Sequence, residues 1–496
     1  MQKNVFKNEK GSITLFVLLA ILFFLIVIFS LFMNSSNKNV IQSSEIDNIK
    51  EEYQESVNNI DQIYNDTVSK PEKPTPGEGA NFDMSNGVIE IEFLEGTSYN
   101  IAQTPNHPIL KTGMTAITYN TNGTINTVNN PNGTDWYSYV AGSGISDNNA
   151  SHWANAKVTV NNVDSYFVWI PRYAYRIIYF DSSTSKEQYK AGTLSEEDAV
   201  ATGKIVGYSD SRGIVDTEGR TKTGVSEQTA IPIGKKHFKT HPVFDGDVNY
   251  GGWAEDDGTP VKLQGIWVAK YEASSVEGNS NNMSGDNVTT KHIKIQPGVQ
   301  SWRYITIGNV FTNSQNYNTT LKSHLMKNSE WGAVVYLTES KYGRNGTEVT
   351  INNNGTTYYT GGGSGTTFVN KPNQSSTGNI YGIYDLSGNA YEYVAGYYKE
   401  GDFSSADSTF TTEISDAYST VYKDTTESKN YIYGDATYET HGWHDDYTNF
   451  VSSDYPFFKR GGWYNDGVRA EIFSFNGNNG DGNDSSVGFR ICLVVQ

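Results

Sequence analysis

The segment "HGWHDD", residues 441 to 446, crowds His441, His444, Asp445 and Asp446 into six positions. Imidazole nitrogens and carboxylate oxygens are donors for zinc and related ions, so the segment is a candidate metal site. Histidines three apart also arise by chance, and the sequence places no third histidine beside them, so both readings stand. His241 precedes a proline in "THPVF" and reads as a structural histidine. Cys492 is the only cysteine, which rules out an internal disulfide framework and any cysteine-based zinc site. It lies in the strand-like "FRICLVV" and reads as a small strand residue, not as a nucleophile. Neither a Gly-x-Ser-x-Gly elbow nor a phosphate-cradling glycine loop stands out. The last candidate is "RGGWYNDGVRAEIFSFNGNNGDGNDSSVGFRI", residues 460 to 491. Two ends marked by Gly and Arg enclose Asn, Gly, Asp and Ser with almost nothing to bury.

The chain that must position these groups has 496 residues, enough for two or more domains and a substantial core. Its formal charge of -18 argues against a nucleic-acid groove and against charge-driven adhesion to anionic lipid. Abundant Gly (48) and Tyr (34), with 19% charged residues, suit a β- and loop-rich surface protein.

Lys3, Lys7 and Lys10 precede a nearly unbroken apolar run from Ile13 to Met33. The run is long enough to cross a bilayer as a helix, and the basic flank puts the N-terminus inside and the rest outside. Residues 12–33 therefore read as the membrane contact of a single-pass cell-surface protein. "NEKGSITLFVLLAIL" also resembles the prepilin family, which implies cleavage after Gly11 and association with a pilus. Ser12 and Phe16 depart from that pattern. Ile46, Ile49, Tyr53, Val57, Ile60, Tyr64 and Val68 recur at three- and four-residue spacing, an amphipathic stalk helix able to pair with a copy of itself. The prolines of "SKPEKPTPGEG" end it in an extended spacer. The expected organisation is thus anchor 1–33, stalk 34–68, linker 69–79, a small β-rich module 80–162 and a mixed α+β domain 163–496.

The module opens on "GVIEIEFLEG", a period-two strand, and continues through Asn-Gly turns at Asn122-Gly123 and Asn132-Gly133. A helix is expected in "LKSHLMKNSEWGAVVYL", with Leu321, Leu325, Trp331, Val334 and Val335 broadly on one side.

Four ordered stretches resemble the formylglycine-generating (sulfatase-modifying factor) family, whose domain is a variant of the C-type-lectin fold. They are "GIWVAKYEAS", "HLMKNSEWGAVVYL" with His324 at the first position, "GIYDLSGNAYEYV" with Tyr391 and Tyr393 for tryptophans, and the pair "RGGWY" and "GFR". Active members bind copper through two cysteines five apart. Those positions fall on Asp466 and Glu471, so the resemblance implies neither copper nor this catalysis, and the head is expected not to be an enzyme. It also implies a structural calcium held by Asp385, Gly388, Ala390 and Glu392, in keeping with hard oxygen donors in a tight turn.

The segment 460–491 resembles a non-catalytic branch of the same fold, the variable proteins of diversity-generating retroelements. That resemblance implies a binding face at 463–486, pinned by Ala470, Ile472, Phe473 and Phe475. Trp463, Tyr464, Asp466, Arg469, Ser474, Asn476 and Asn478 would face outward to an extracellular protein or glycan. Two alternatives remain open: a pilin-like structural subunit, and a metal-dependent enzyme built on His441 and His444.

Overall fold

The computed structural model describes residues 82–133, 135–141, 151–210, 213–216, 237–255, 257–278, 286–406 and 416–496. The expected anchor, stalk and linker lie outside them. Among the described residues no helix is long and apolar enough to cross a membrane.

The architecture is mixed α+β, dominated by sheets. Strand Gly87–Phe93 follows the expected period of two, burying Ile89, Ile91 and Phe93 on one face. It pairs antiparallel with Tyr173–Phe180, which continues through Ile205–Asp210 to Gly213–Asp216. A second sheet has seven strands. Its order is His324–Leu325, Ile491–Leu493, Gly265–Ala269, Val163–Pro171, Asn155–Val160, Met114–Tyr119, Ile125–Thr127. A third sheet joins Thr420–Tyr422, Tyr391–Tyr398, Phe457–Arg460 and Phe475–Asn478, with Val487–Phe489 running parallel beside Tyr391–Tyr398.

The boundary expected between 162 and 163 does not separate two domains. Asn161 and Asn162 take φ of 51° and 61° and form the tight turn of a hairpin joining Asn155–Val160 to Val163–Pro171. Asparagine tolerates this left-handed backbone, which such hairpin turns require. Strands from both sides of 162 share two sheets and one hydrophobic core, and residues 74–496 form one compact unit.

The expected helix is also redrawn. Its first part becomes a 3-10 turn, Thr319–Leu321, and a short strand, His324–Leu325, while the α-helix is Asn328–Glu339. Two local causes set this start. Leu325 pairs with Ile491, and the Glu330 carboxylate accepts the Lys327 N–H at 2.8 Å, satisfying a helix-terminal donor. All twelve helix residues are buried, so the helix runs through the core and presents no solvent face.

Candidate functional site

The C-terminal segment is held by the third sheet. Phe475–Asn478 pairs antiparallel with Phe457–Arg460, and Val487–Phe489 lies along the same central strand, Tyr391–Tyr398. Between them, residues 461–474 fold back tightly. A β-carbon on Gly462, at φ +64°, would lie 2.3 Å from the Ala470 Cα, so only glycine permits the approach. Trp331 Nε1 donates to the Ile472 carbonyl at 2.8 Å, and Ser387 Oγ donates to the Ala470 carbonyl at 2.7 Å. Ala470, Ile472, Phe473 and Phe475 are buried, as a pinned loop requires.

What this frame presents is a chain of aromatic rings. The Trp463 and Tyr464 centroids are 4.8 Å apart, and Tyr464 meets Tyr358 edge-on at 5.2 Å. The Arg303 guanidinium lies 3.7 Å from the centroid of the Tyr358 ring. Asp466 accepts from Trp463 twice, from Nε1 at 2.6 Å and from the backbone N–H at 3.1 Å, which fixes the indole. Lys459 Nζ stands 4.1 Å from the Tyr391 ring centroid and 3.4 Å from Asp484. Trp463, Tyr464, Asp466 and Asn476 are half-buried and Arg469 is exposed. Nearby, Val468 is 73% and Tyr455 55% exposed.

Two expected members turn inward. Ser474 is 0% exposed, and Asn478 is 9% exposed, accepting from Tyr393 Oη at 3.0 Å and the Gly480 N–H at 2.7 Å. Ser474 lies in the turn before the strand, and the strand Phe475–Asn478 is buried at both ends with Asn476 and Gly477 half-buried between them. Tyr358, Tyr391, Arg303 and Lys459, which pack against these groups from within, are themselves buried; they come from distant segments and carry no motif of their own.

"HGWHDD" does not bring its four ligand-type residues together. His441 pairs with Glu427 at 3.2 Å, whereas His444 lies 3.4 Å from Glu339 and 3.2 Å from Glu348. Asp446 accepts from the Phe473 N–H at 3.0 Å. His444 and Asp445 both take left-handed φ, 56° and 61°, which turns the imidazole into the carboxylates. Burial opposes its charge, but Glu339 and Glu348 outweigh burial and raise His444 to about 10. Glu471, at the position counted for a copper cysteine, is buried and raised to about 9 by burial and by Asp446 and Glu348. Asp466 is engaged by Trp463. Both positions hold hard carboxylates, which do not fit copper(I).

The calcium set fails a direct fit. Both oxygens of Glu392 accept from Arg490, Nε at 2.9 Å and Nη2 at 2.5 Å. Asp385 accepts from Asn352 Nδ2 at 2.8 Å and from the Gly361 N–H at 2.9 Å. The Ala390 N–H donates to Glu272, at 3.1 Å. A guanidinium and amide donors thus occupy the carboxylate oxygens a calcium ion would take. Burial accordingly raises Glu272 well above its usual range. In chelator-treated buffer the chain is expected to melt at the same temperature before and after millimolar calcium is added. A rise of several degrees on addition would show that the turn rearranges around the ion.

No protein-family model matches the chain, and no curated protein matches it.

Proposed function

We propose that the head is a non-catalytic recognition module that binds an extracellular protein or glycan through the face centred on Trp463 and Tyr464. The observation that carries this reading is the fixed aromatic chain. Trp463 is held by Asp466, and Tyr464 meets edge-on the buried Tyr358, which stacks on Arg303, before any ligand arrives. Preorganised aromatics lose little conformational entropy on binding, and they dominate the energetics of most recognition surfaces. The Asp466 carboxylate lies beside them, and Arg469 is exposed in the same segment. The likeness of segment 460–491 to the retroelement variable proteins supports the same reading, and the apolar run 13–33 supports display outside a cell membrane.

The test uses the detergent-solubilised full chain on a printed array of cell-surface glycans and on intact cells. Replacing Trp463 and Tyr464 together by Ala should weaken capture by about 30-fold or more, equivalent to roughly 2 kcal/mol. Trp463 packs against the edge of the core, so the same change should also cost about 1 kcal/mol of stability. Undiminished capture by the variant, or no capture by the native chain on any probe, overturns the proposal.

A further inference from the structure

A second assembly lies inside the head and shares no side chain with the proposed binding face. In the antiparallel ladder His324 stands directly opposite Cys492, so both side chains leave the same face of the sheet. Glu330, in the first turn of helix Asn328–Glu339, reaches the same point. Its carboxylate oxygens are 2.9 Å and 3.1 Å from His324 Nε2. One ligand atom from each of the three residues lies within 4.8 Å of the other two. Among the described residues no other group of this kind occurs. All three side chains are fully buried.

The hydrogen-bond roles narrow what can sit between them. His324 Nδ1 is 2.8 Å from the Lys322 carbonyl oxygen, which can only accept, so Nδ1 carries a hydrogen. Nε2 then faces a carboxylate that also only accepts. A proton or a metal ion must therefore lie between Nε2 and Glu330. An imidazole whose far N–H is fixed on a backbone carbonyl is the usual orientation of a metal-ligating histidine. The other ligand is likewise oriented, because Glu330 accepts the Lys327 N–H at 2.8 Å. The neighbouring Lys327 ammonium is committed to the carbonyl oxygens of Gly252, at 2.7 Å, and Ala417, at 3.1 Å.

We propose that His324, Glu330 and Cys492 form a buried zinc site. Imidazole, carboxylate and thiolate are the donor types of zinc, and in a tetrahedral site their atoms stand about 3.3–3.5 Å apart, so an ion would open the His324–Glu330 contact slightly and draw Cys492 in. Zn²⁺ with one carboxylate, one thiolate and a neutral imidazole is itself a neutral cluster. Three protein donors leave the fourth position to a water. The site ties the terminal strand Ile491–Leu493 to the edge strand His324–Leu325 and to the buried helix. A single cysteine excludes a site made of cysteines, but not one that includes a cysteine among other donors.

The full chain, purified without chelator, should contain about one zinc by elemental analysis. Refolded with cobalt(II) in place of zinc, it should show a thiolate-to-cobalt charge-transfer band. Cys492→Ser should abolish the band, which separates this site from adventitious binding at exposed His441. If that variant does not fold, the native chain alone still decides. Zinc well below stoichiometry, together with no charge-transfer band on cobalt loading, overturns the proposal and leaves a hydrogen bond between His324 and Glu330. A band that persists in a folded Cys492→Ser chain overturns it equally.

Discussion

Replacing Arg490 by Met is expected to cost about 3–5 kcal/mol of folding stability. The side chain is fully buried and engages four acceptors. Two are the oxygens of Glu392, and the others are the carbonyls of Ala269 and Tyr384, at 2.7 Å and 2.8 Å. Methionine fills much of the volume but leaves Glu392, with Asp385 and Glu272 nearby, facing no cation. Removing one partner of a buried pair strands the other, whereas removing both can be nearly neutral. The double variant Arg490→Met with Glu392→Met should therefore recover part of the loss. Denaturant unfolding of the full chain reads both. A loss under about 1 kcal/mol for Arg490→Met would mean that the guanidinium does not neutralise this cluster.

The second large effect concerns Glu439, where distant elements meet. Its carboxylate accepts from Lys239 Nζ at 2.6 Å, Tyr175 Oη at 2.7 Å, Tyr431 Oη at 2.8 Å, Tyr336 Oη at 2.9 Å and the Gly434 N–H at 2.6 Å. Ser209 Oγ donates as well. Burial alone would raise its pKa, but the Lys239 charge and these donors outweigh burial and lower it to about 2. A depressed carboxylate stabilises the fold fully above its unfolded pKa, near 4.5, and that contribution is lost as pH falls towards 2. The difference corresponds to about 3 kcal/mol. Stability should therefore fall steeply between about pH 4.5 and pH 2, and Glu439→Gln should flatten this slope. Parallel pH profiles for the native chain and the Glu439→Gln variant would sink the assignment. At neutral pH Lys239→Met should cost about 3–5 kcal/mol, because it leaves an unpaired buried charge.

Several features of the head were legible in the sequence because their causes are local. The alternation of "GVIEIEF" predicted a strand with one buried face, and Ile89, Ile91 and Phe93 are buried there. The apolar residues at 470, 472, 473 and 475 marked the positions that pin the C-terminal loop, and all four are buried. The mixed α+β class followed from aromatic strands interrupted by one helix-like stretch. Each of these signals lies within a few residues of its effect.

Only the tertiary structure decided which segments meet. Ser474 and Asn478 sit in a run of polar residues that reads as exposed, yet the turn from Glu471 buries Ser474, and the pairing of Phe475–Asn478 with Phe457–Arg460 places Asn478 inside, against Tyr393. Shifting a strand by one residue exchanges its faces, and no nearby residue specifies that choice. "HGWHDD" places four ligand-type side chains together in sequence, but the left-handed backbone at His444 and Asp445 sends them to separate partners. Conversely, His324, Glu330 and Cys492 share no motif, and they meet because the last strand of the chain pairs with His324–Leu325. Tyr358 reaches Tyr464 in the same way, through a fold that closes a long loop over the third sheet. Sequence patterning reports what each segment must bury or bend, whereas a site assembled from several segments depends on long-range pairing that no local pattern encodes.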